Sequence, residues 1–187
     1  MNSFLFPDVN VWLALSYPPH ESHEIAFDWL EAQRGAKAFF CRFTQIALLR
    51  LLTTQAVMGA EVMNQKGAWA AYNRWFDDDR IDYCQEPNPN ELERVFRRLS
   101  SGPHPSPKLW ADAYLAAFAS VAGLTLVTFD RTLGAMAPGR ALILSVCDEI
   151  TMPVRHDRSL TVAAQNRIPS RDREGAVATV VSSQSLS

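Results

Sequence analysis

The chain has 187 residues, 48% of them hydrophobic and 20% charged, with a net charge of −2. That length holds one domain with a tail left over, and the composition excludes a mostly disordered, collagen-like or coiled-coil chain. The charge excludes a polycationic nucleic-acid binder as a whole-chain reading, but a discrete nucleic-acid site depends on local charge and stays open.

The charge is unevenly spread. Residues 1–150 carry 13 Lys and Arg against 17 Asp and Glu, while residues 151–187 carry 5 against 3. Cys41, Cys84 and Cys147 are odd in number, widely spaced and without a C-x-x-C pair. They read as free thiols in a reducing compartment rather than a disulfide framework or zinc knuckle. The apolar start, Met1 to Leu15, lacks a basic leader and carries Asp8, so it does not read as a signal peptide. The most apolar later stretch, Ala113–Val127, is shorter than the roughly 20 residues of a membrane span. A cytoplasmic protein with no membrane partner is expected.

Ser3–Phe6 reads as a buried strand stopped by Pro7-Asp8, and Val9–Leu15 continues in helix-compatible residues. His23–Gln33 puts Ile25, Ala26, Trp29 and Leu30 on one helical face, and Gly35 closes it. Lys37–Cys41 is a second strand. Thr44 is the expected N-cap of an apolar helix through Leu52. Trp69, Tyr72, Trp75 and Phe76 mark a third helix, broken by Asp77-Asp78-Asp79, and Arg80–Cys84 is a strand. Pro87-Asn88-Pro89-Asn90 is a turn ending in an Asn cap, followed by a helix on Leu92, Val95, Phe96 and Leu99. After the Ser/Pro/Gly-rich loop Ser100–Pro107 comes the clearest helix, Lys108–Ala122, closed by Gly123. Thr125–Thr128 is a strand ending in Phe129-Asp130, and Ala141–Leu144 is the last candidate strand.

Short apolar strands alternating with helices predict an α/β fold with a mostly parallel sheet of about five strands inside residues 1–150. Residues 151–187 have no sustained period and are expected to form a weakly ordered extension.

Open parallel sheets bind ligands beyond the carboxyl ends of their strands. Asp8 directly follows the first strand, Asp130 the strand Thr125–Thr128, and Asp112 falls in the first turn of the Lys108–Ala122 helix. Each has an ordinary explanation as a helix cap or dipole partner. Together they point further, because three converging carboxylates stay ionised only around a cation. Oxygen ligands suit Mg²⁺ or Mn²⁺, and an ion so held activates water for phosphodiester cleavage.

The chain resembles a known family here. Phe6-Pro7-Asp8-Val9-Asn10-Val11-Trp12-Leu13-Ala14-Leu15 is similar to the opening motif of PIN domains, specifically VapC-type toxin ribonucleases. Cys41-Arg42-Phe43-Thr44-Gln45 with Leu49-Arg50-Leu51-Leu52-Thr53 resembles their second motif, Trp110-Ala111-Asp112-Ala113-Tyr114-Leu115-Ala116-Ala117-Phe118-Ala119 the third, and Leu126-Val127-Thr128-Phe129-Asp130-Arg131 the fourth. Each motif alone is weak, whereas the ordered set, spanning about residues 3–145, is specific. The resemblance implies a PIN-like three-layer sandwich and a metal-dependent endoribonuclease acting on RNA. It implies metal ligands at Asp8 and Asp112 with Asp130 completing the site, a small antitoxin partner and a homodimer. Many PIN domains carry a Glu in the second motif where this chain has Thr44-Gln45, which leaves three acids rather than four. The family includes a Thr-Gln branch, so the change does not by itself read as inactivation.

Supporting roles remain open on the sequence. Asn10 either bonds Asp8 or an ion's water, or caps a helix. Thr44 orients the substrate phosphate or caps its helix. Arg50 pairs with a site acid or RNA phosphate, or makes a structural ion pair. His20, His23 and Asp77-Asp78-Asp79 read as solvated, His104 as a loop residue at the edge of a substrate groove at most, and the five tryptophans as core or interface. No Ser/His/Asp or Cys/His arrangement suggests a covalent intermediate. Two rivals stand beside the nuclease reading. One is a catalytically silent PIN module that binds RNA or protein. The other is a receiver-like domain phosphorylated on Asp, which normally needs a late Lys, and none follows Lys108.

Overall fold

The computed structural model describes residues 3–145. The expected extension, 151–187, lies outside the described residues, as do Cys147 and the end of the expected domain 1–150. Five strands form the fold: β1 (Phe4–Pro7), β2 (Lys37–Phe40), β3 (Ile81–Tyr83), β4 (Thr125–Thr128) and β5 (Ala141–Ile143). They make one sheet in the order β3-β2-β1-β4-β5 with every pairing parallel. The expected α/β architecture is present.

Between the strands run α1 (Val9–Ser16), α2 (His23–Ala32), α3 (Arg42–Leu52), α4 (Gln55–Met58), α5 (Gln65–Arg74), α6 (Pro89–Ser100), α7 (Leu109–Ala122) and α8 (Arg131–Ala135). Side-chain alternation along the strands makes two cores. Leu5, Ala38, Phe40, Ile81 and Val127 pack with α1 to α5. Phe6 and Leu126, each one residue away in its strand, pack with Leu92 and Val95 of α6, Leu115 and Phe118 of α7, and Leu133 of α8. The sheet is therefore the middle of three layers. The chain moves outward from β1 to β3 with helices on one face, then returns through α6 and α7 to β4 with helices on the other. Strands β1 and β4, where this direction reverses, are direct neighbours, and that is where such sheets bind ligands.

Local chemistry explains the element boundaries that differ from expectation. Helix α3 starts at Arg42, because Cys41 is its N-cap and Thr44 is its third residue. The Thr44 hydroxyl accepts the Cys41 N–H at 2.9 Å and donates to the Cys41 carbonyl at 3.1 Å. Thr44 thus belongs to the first turn instead of preceding it. Asn88, not Asn90, caps α6, with Pro89 at the first helical position where its missing N–H costs nothing. Helix α2 ends at Ala32, before Gly35, whose φ of +75° serves the following turn. Gly123 ends α7 as expected, in the left-handed conformation. The short α4 and α8 had no apolar period long enough to announce them.

Gly134 of α8 faces β5. A Cβ there would lie 2.9 Å from Ile143 Cγ1, a contact that would force a shift. Cys41 and Cys84 are free thiols. Among the described residues no helix is long and apolar enough to cross a membrane.

Candidate active site

Asp8, Asp112 and Asp130 line one cleft of about 320 Å³ at the β1–β4 switch point, with Asn10, Arg50 and Lys108 also in its wall. Three distant stretches of chain supply them. β1 delivers Asp8 at the start of α1, β4 delivers Asp130 at the start of α8, and the first turn of α7 brings Asp112 from the opposite layer.

Asp8 is 2% exposed. Its Oδ1 accepts the Val11 N–H at 2.8 Å, which makes it the N-cap of α1, and its Oδ2 accepts the Thr128 hydroxyl at 2.6 Å. Burial pushes its carboxyl above the ordinary value, against the opposing bonds from Thr128 and Val11. Asp130 caps α8, accepting the Thr132 and Leu133 N–H groups on Oδ1 at 2.7 and 3.2 Å, while its Oδ2 accepts a hydrogen bond from the Lys108 ammonium. That bond, first among the causes, holds the Asp130 carboxyl below the usual range. Burial raises Asp112, and Lys108 Nζ at 3.7 Å opposes the shift.

Thr128 joins two of the acids. Its Oγ1 donates to Asp8 and accepts the Asp130 N–H at 2.9 Å. Thr128 and Lys108 are the site residues that sequence reasoning missed. Their signals were present: Thr128 stands two residues before Asp130 at the end of a strand, and Lys108 stands four before Asp112, one helical turn away.

The supporting residues divide. Asn10 lines the cleft on the second helical position of α1; the cap is Asp8, so the helix-cap reading of Asn10 is set aside. Arg50 lines the cleft and has no ion pair among the described residues, so it pairs there neither with a site acid, as one expectation had it, nor with a structural partner. Thr44 and Gln45 do not line it. The face of α3 toward the cleft is Phe43, Ala47, Arg50 and Leu51, whereas Thr44 and Gln45 are buried with Leu48 and Leu52 on its inner side. Thr44 therefore does not reach a substrate phosphate. The Gln45 Oε1 accepts a hydrogen bond from Arg42 at 2.5 Å. The side chain that α3 offers at this point of the cleft is the methyl of Ala47, so α3 gives the site no fourth acid.

Other expectations resolve plainly. His23 Nδ1 lies 2.7 Å from the Ala14 carbonyl, and Asp78 is paired with Arg80. Trp12 is fully buried in the core, whereas Trp69 and Trp110 are 46% and 61% exposed and lie outside it.

Valine in place of Thr44 removes both helix-start bonds without changing the side chain's bulk much. A loss of about 1–2 kcal/mol is expected in urea unfolding, with the specific activity of the folded variant unchanged.

A PIN domain family model matches residues 5–137. The chain belongs to the PIN domain family. Within that family, it is 43% identical over 130 residues to Ribonuclease VapC41 of Mycobacterium tuberculosis, in strains CDC 1551 / Oshkosh and ATCC 25618 / H37Rv, covering 67% of this chain and 88% of the relative. The fold matches that of M. tuberculosis VapC20, described as a sarcin-ricin loop cleaving toxin, with a TM-score of 0.53, 15% identity and 71% and 94% of the two chains covered. It also matches VapBC2 from Rickettsia felis bound to a DNA fragment from the promoter, with a TM-score of 0.55, 10% identity and coverage of 76% and 99%. The PIN fold and membership set aside the receiver-like reading.

PIN nucleases imply a divalent cation, and the donor set can be tested for one. Among the described residues no three acid, imidazole or thiol side chains stand close enough to ligate a single ion as they are. Two carboxylates, Asp112 and Asp130, are however already gathered around one cation, the Lys108 ammonium. Mg²⁺ typically takes one or two protein carboxylates and keeps several waters, so the pair, with the Asp8 carboxylate behind it, fits such an ion.

Proposed function

We propose that this PIN domain is an endoribonuclease that hydrolyses RNA phosphodiesters with Mg²⁺ or Mn²⁺, as the toxin of a toxin–antitoxin pair. The observation that carries the proposal is the convergence of Asp8, Asp112 and Asp130, from three separate elements, on one cleft. The 43% identity to a ribonuclease supports the same reading. A bound divalent ion supplies Lewis-acid polarisation of the phosphate and a more acidic water.

The chain's own residues do the rest. Asp112 and Asp130, on the open side of the cleft, are the groups placed to hold the ion. Asp8 adds negative charge from behind and is fixed by Thr128 and the start of α1. Asn10 offers an amide at the cleft wall. The Gln45 departure no longer favours a silent module, because its side chain is turned away from the cleft and an acid at that position would not enter it. Incubation of purified protein with structured RNA, with and without Mn²⁺, tests the reading. Ion-dependent cleavage stopped by chelation is expected, and no cleavage under any ion condition would refute it.

An acidic cleft must attract a polyanion, so cations at its wall matter. Arg42 is engaged with Gln45 and stacked 5.5 Å over the Tyr83 ring, which leaves Arg50 as the arginine of the cleft wall. Replacing Arg50 by Met is expected to weaken RNA binding across sequences and to lower the slope of log affinity against log salt by about 1. Titrations of an inactive background at several salt concentrations measure it.

By family resemblance, a small antitoxin covers the cleft and the toxin is a homodimer. Light scattering of the chain, alone and with the product of the adjoining reading frame, tests both. We also propose that the domain ends by residue 150. Truncation after Ile150 should leave nuclease activity and melting temperature nearly unchanged, and a large loss of either refutes it.

A further inference from the structure

We propose that Lys108 is the resident cation of the ion-free cleft, and that a divalent ion enters by displacing its ammonium from Asp112 and Asp130. This rests on the reading of the cleft as a metal site, and it assigns a role to a residue outside that reading.

Lys108 stands immediately before α7 and makes no capping bond with its side chain. Its stem instead reaches along the helix to Asp112, four residues on, and across the cleft to Asp130, twenty-two residues on. No other cation pairs with either acid among the described residues, and Arg50, in the same wall, pairs with none. Two carboxylates facing each other repel, and a positive charge between them relieves that repulsion. An ammonium does so as a compact point charge with three donors. A divalent ion competes for the same Asp112 and Asp130 Oδ2 atoms that the ammonium occupies, and two cations in contact there repel each other.

The geometry also makes the exchange easy. The Lys108 side chain is 64% exposed, so it withdraws by rotating about its own flexible stem into water, without unpacking the core. Exposed pairs of this kind are held weakly. The ammonium therefore acts as a place-holder: it holds the two acids close together, and it sets a concentration of free divalent ion below which the cleft stays closed to it.

Mn²⁺ titration of the full chain by calorimetry tests this, with wild type, Lys108→Met, Lys108→Gln and Arg50→Met compared. Both Lys108 variants should bind Mn²⁺ roughly three- to fivefold more tightly than wild type, with Arg50→Met showing a clearly smaller gain. Arg50 is the control for loss of one positive charge from the same cleft. Their metal-free melting temperatures should fall slightly, and the fall should disappear with Mn²⁺ bound. Unchanged or weaker Mn²⁺ binding by the Lys108 variants overturns the proposal, as does an equal gain in Arg50→Met, which would mean charge alone. Wild type and variants all failing to bind Mn²⁺ would instead overturn the metal reading itself, and this proposal with it.

Discussion

Asparagine in place of Asp8 is expected to abolish ion-dependent RNA cleavage and, at the same time, to raise the melting temperature of the metal-free protein. The two effects share one cause. Asp8 is buried at the end of β1, and burial raises its carboxyl above the ordinary value. Folding therefore disfavours the ionised form. A raised acid costs stability above its folded pKa, and the cost fades as pH falls through that value. The neutral amide can still accept the Val11 N–H and can donate to Thr128, so most of the local bonding survives. The gain in melting temperature should be largest above the raised pKa of Asp8 and should shrink as the pH falls through it. Activity depends on the charge that stability opposes. Losing several kcal/mol of transition-state charge stabilisation slows cleavage by about 100-fold or more. Thermal melts across pH and single-turnover cleavage of one RNA measure the pair. Cleavage preserved to within about tenfold, or a lower melting temperature at neutral pH, would contradict the assigned role.

The largest expected loss of stability comes one helical turn further on. Trp12 is fully buried, its ring stacked on Phe40 at 3.7 Å between centroids and edge-on to Trp75 at 5.6 Å. Alanine there removes the centre of the larger core. A loss of about 3–5 kcal/mol is expected, which lowers the melting temperature by roughly 10 °C in a domain of this size. Phenylalanine should cost much less. It keeps the stack, and it deletes the Trp12 Nε1–H, a buried donor with no partner among the described residues. Denaturant unfolding of both variants decides it. An alanine cost no larger than that of a surface substitution would show that this cluster is not the core's centre. Trp12 also donates its backbone N–H to the Asp8 carbonyl at 3.0 Å, so repacking of this turn of α1 in the alanine variant is expected to lower activity along with stability.

Much of this was legible in the sequence because the fold writes strong local signals. β1, β2 and β4 are short aromatic or β-branched runs, with Pro7-Asp8 closing β1 and Asp130 two residues beyond β4, and α7 is a long, mostly apolar helix with a glycine stop. The three acids stand at strand ends and a helix start, positions that parallel-sheet topology already singles out. What stayed hidden depends on rotation and reach. Thr44 reads as a cap or as a ligand until the start of α3 is known, and that start lies three residues earlier, with Cys41 instead of Thr44 as the cap. Gln45 and Ala47, two residues apart, point about 200° apart around the helix, which takes Gln45 inward and brings Ala47 to the cleft. Lys108 is invisible as a partner of Asp130 because their link crosses from the start of α7 to the end of β4. The order of the strands, and hence the neighbourhood of β1 and β4, is a property of the whole chain.

Gly134 gives the far edge of the sheet a hold on the chemistry. Helix α8 begins at its cap, Asp130, and is pressed against Ile143 of β5 so closely that one extra carbon would not fit. That short helix is less a connector than a wedge seated between an acid and the outermost strand. A side chain added on the back of the wedge must turn the Ile143 side chain aside or tilt the helix, and tilting it swings Asp130 relative to Asp8 and Asp112. Changes at the sheet's edge, with no atom near RNA, would then be read out as changes in the spacing of carboxylates. Tolerance to substitution in this nuclease should therefore be mapped by rigid contact with α8, not by distance from the cleft.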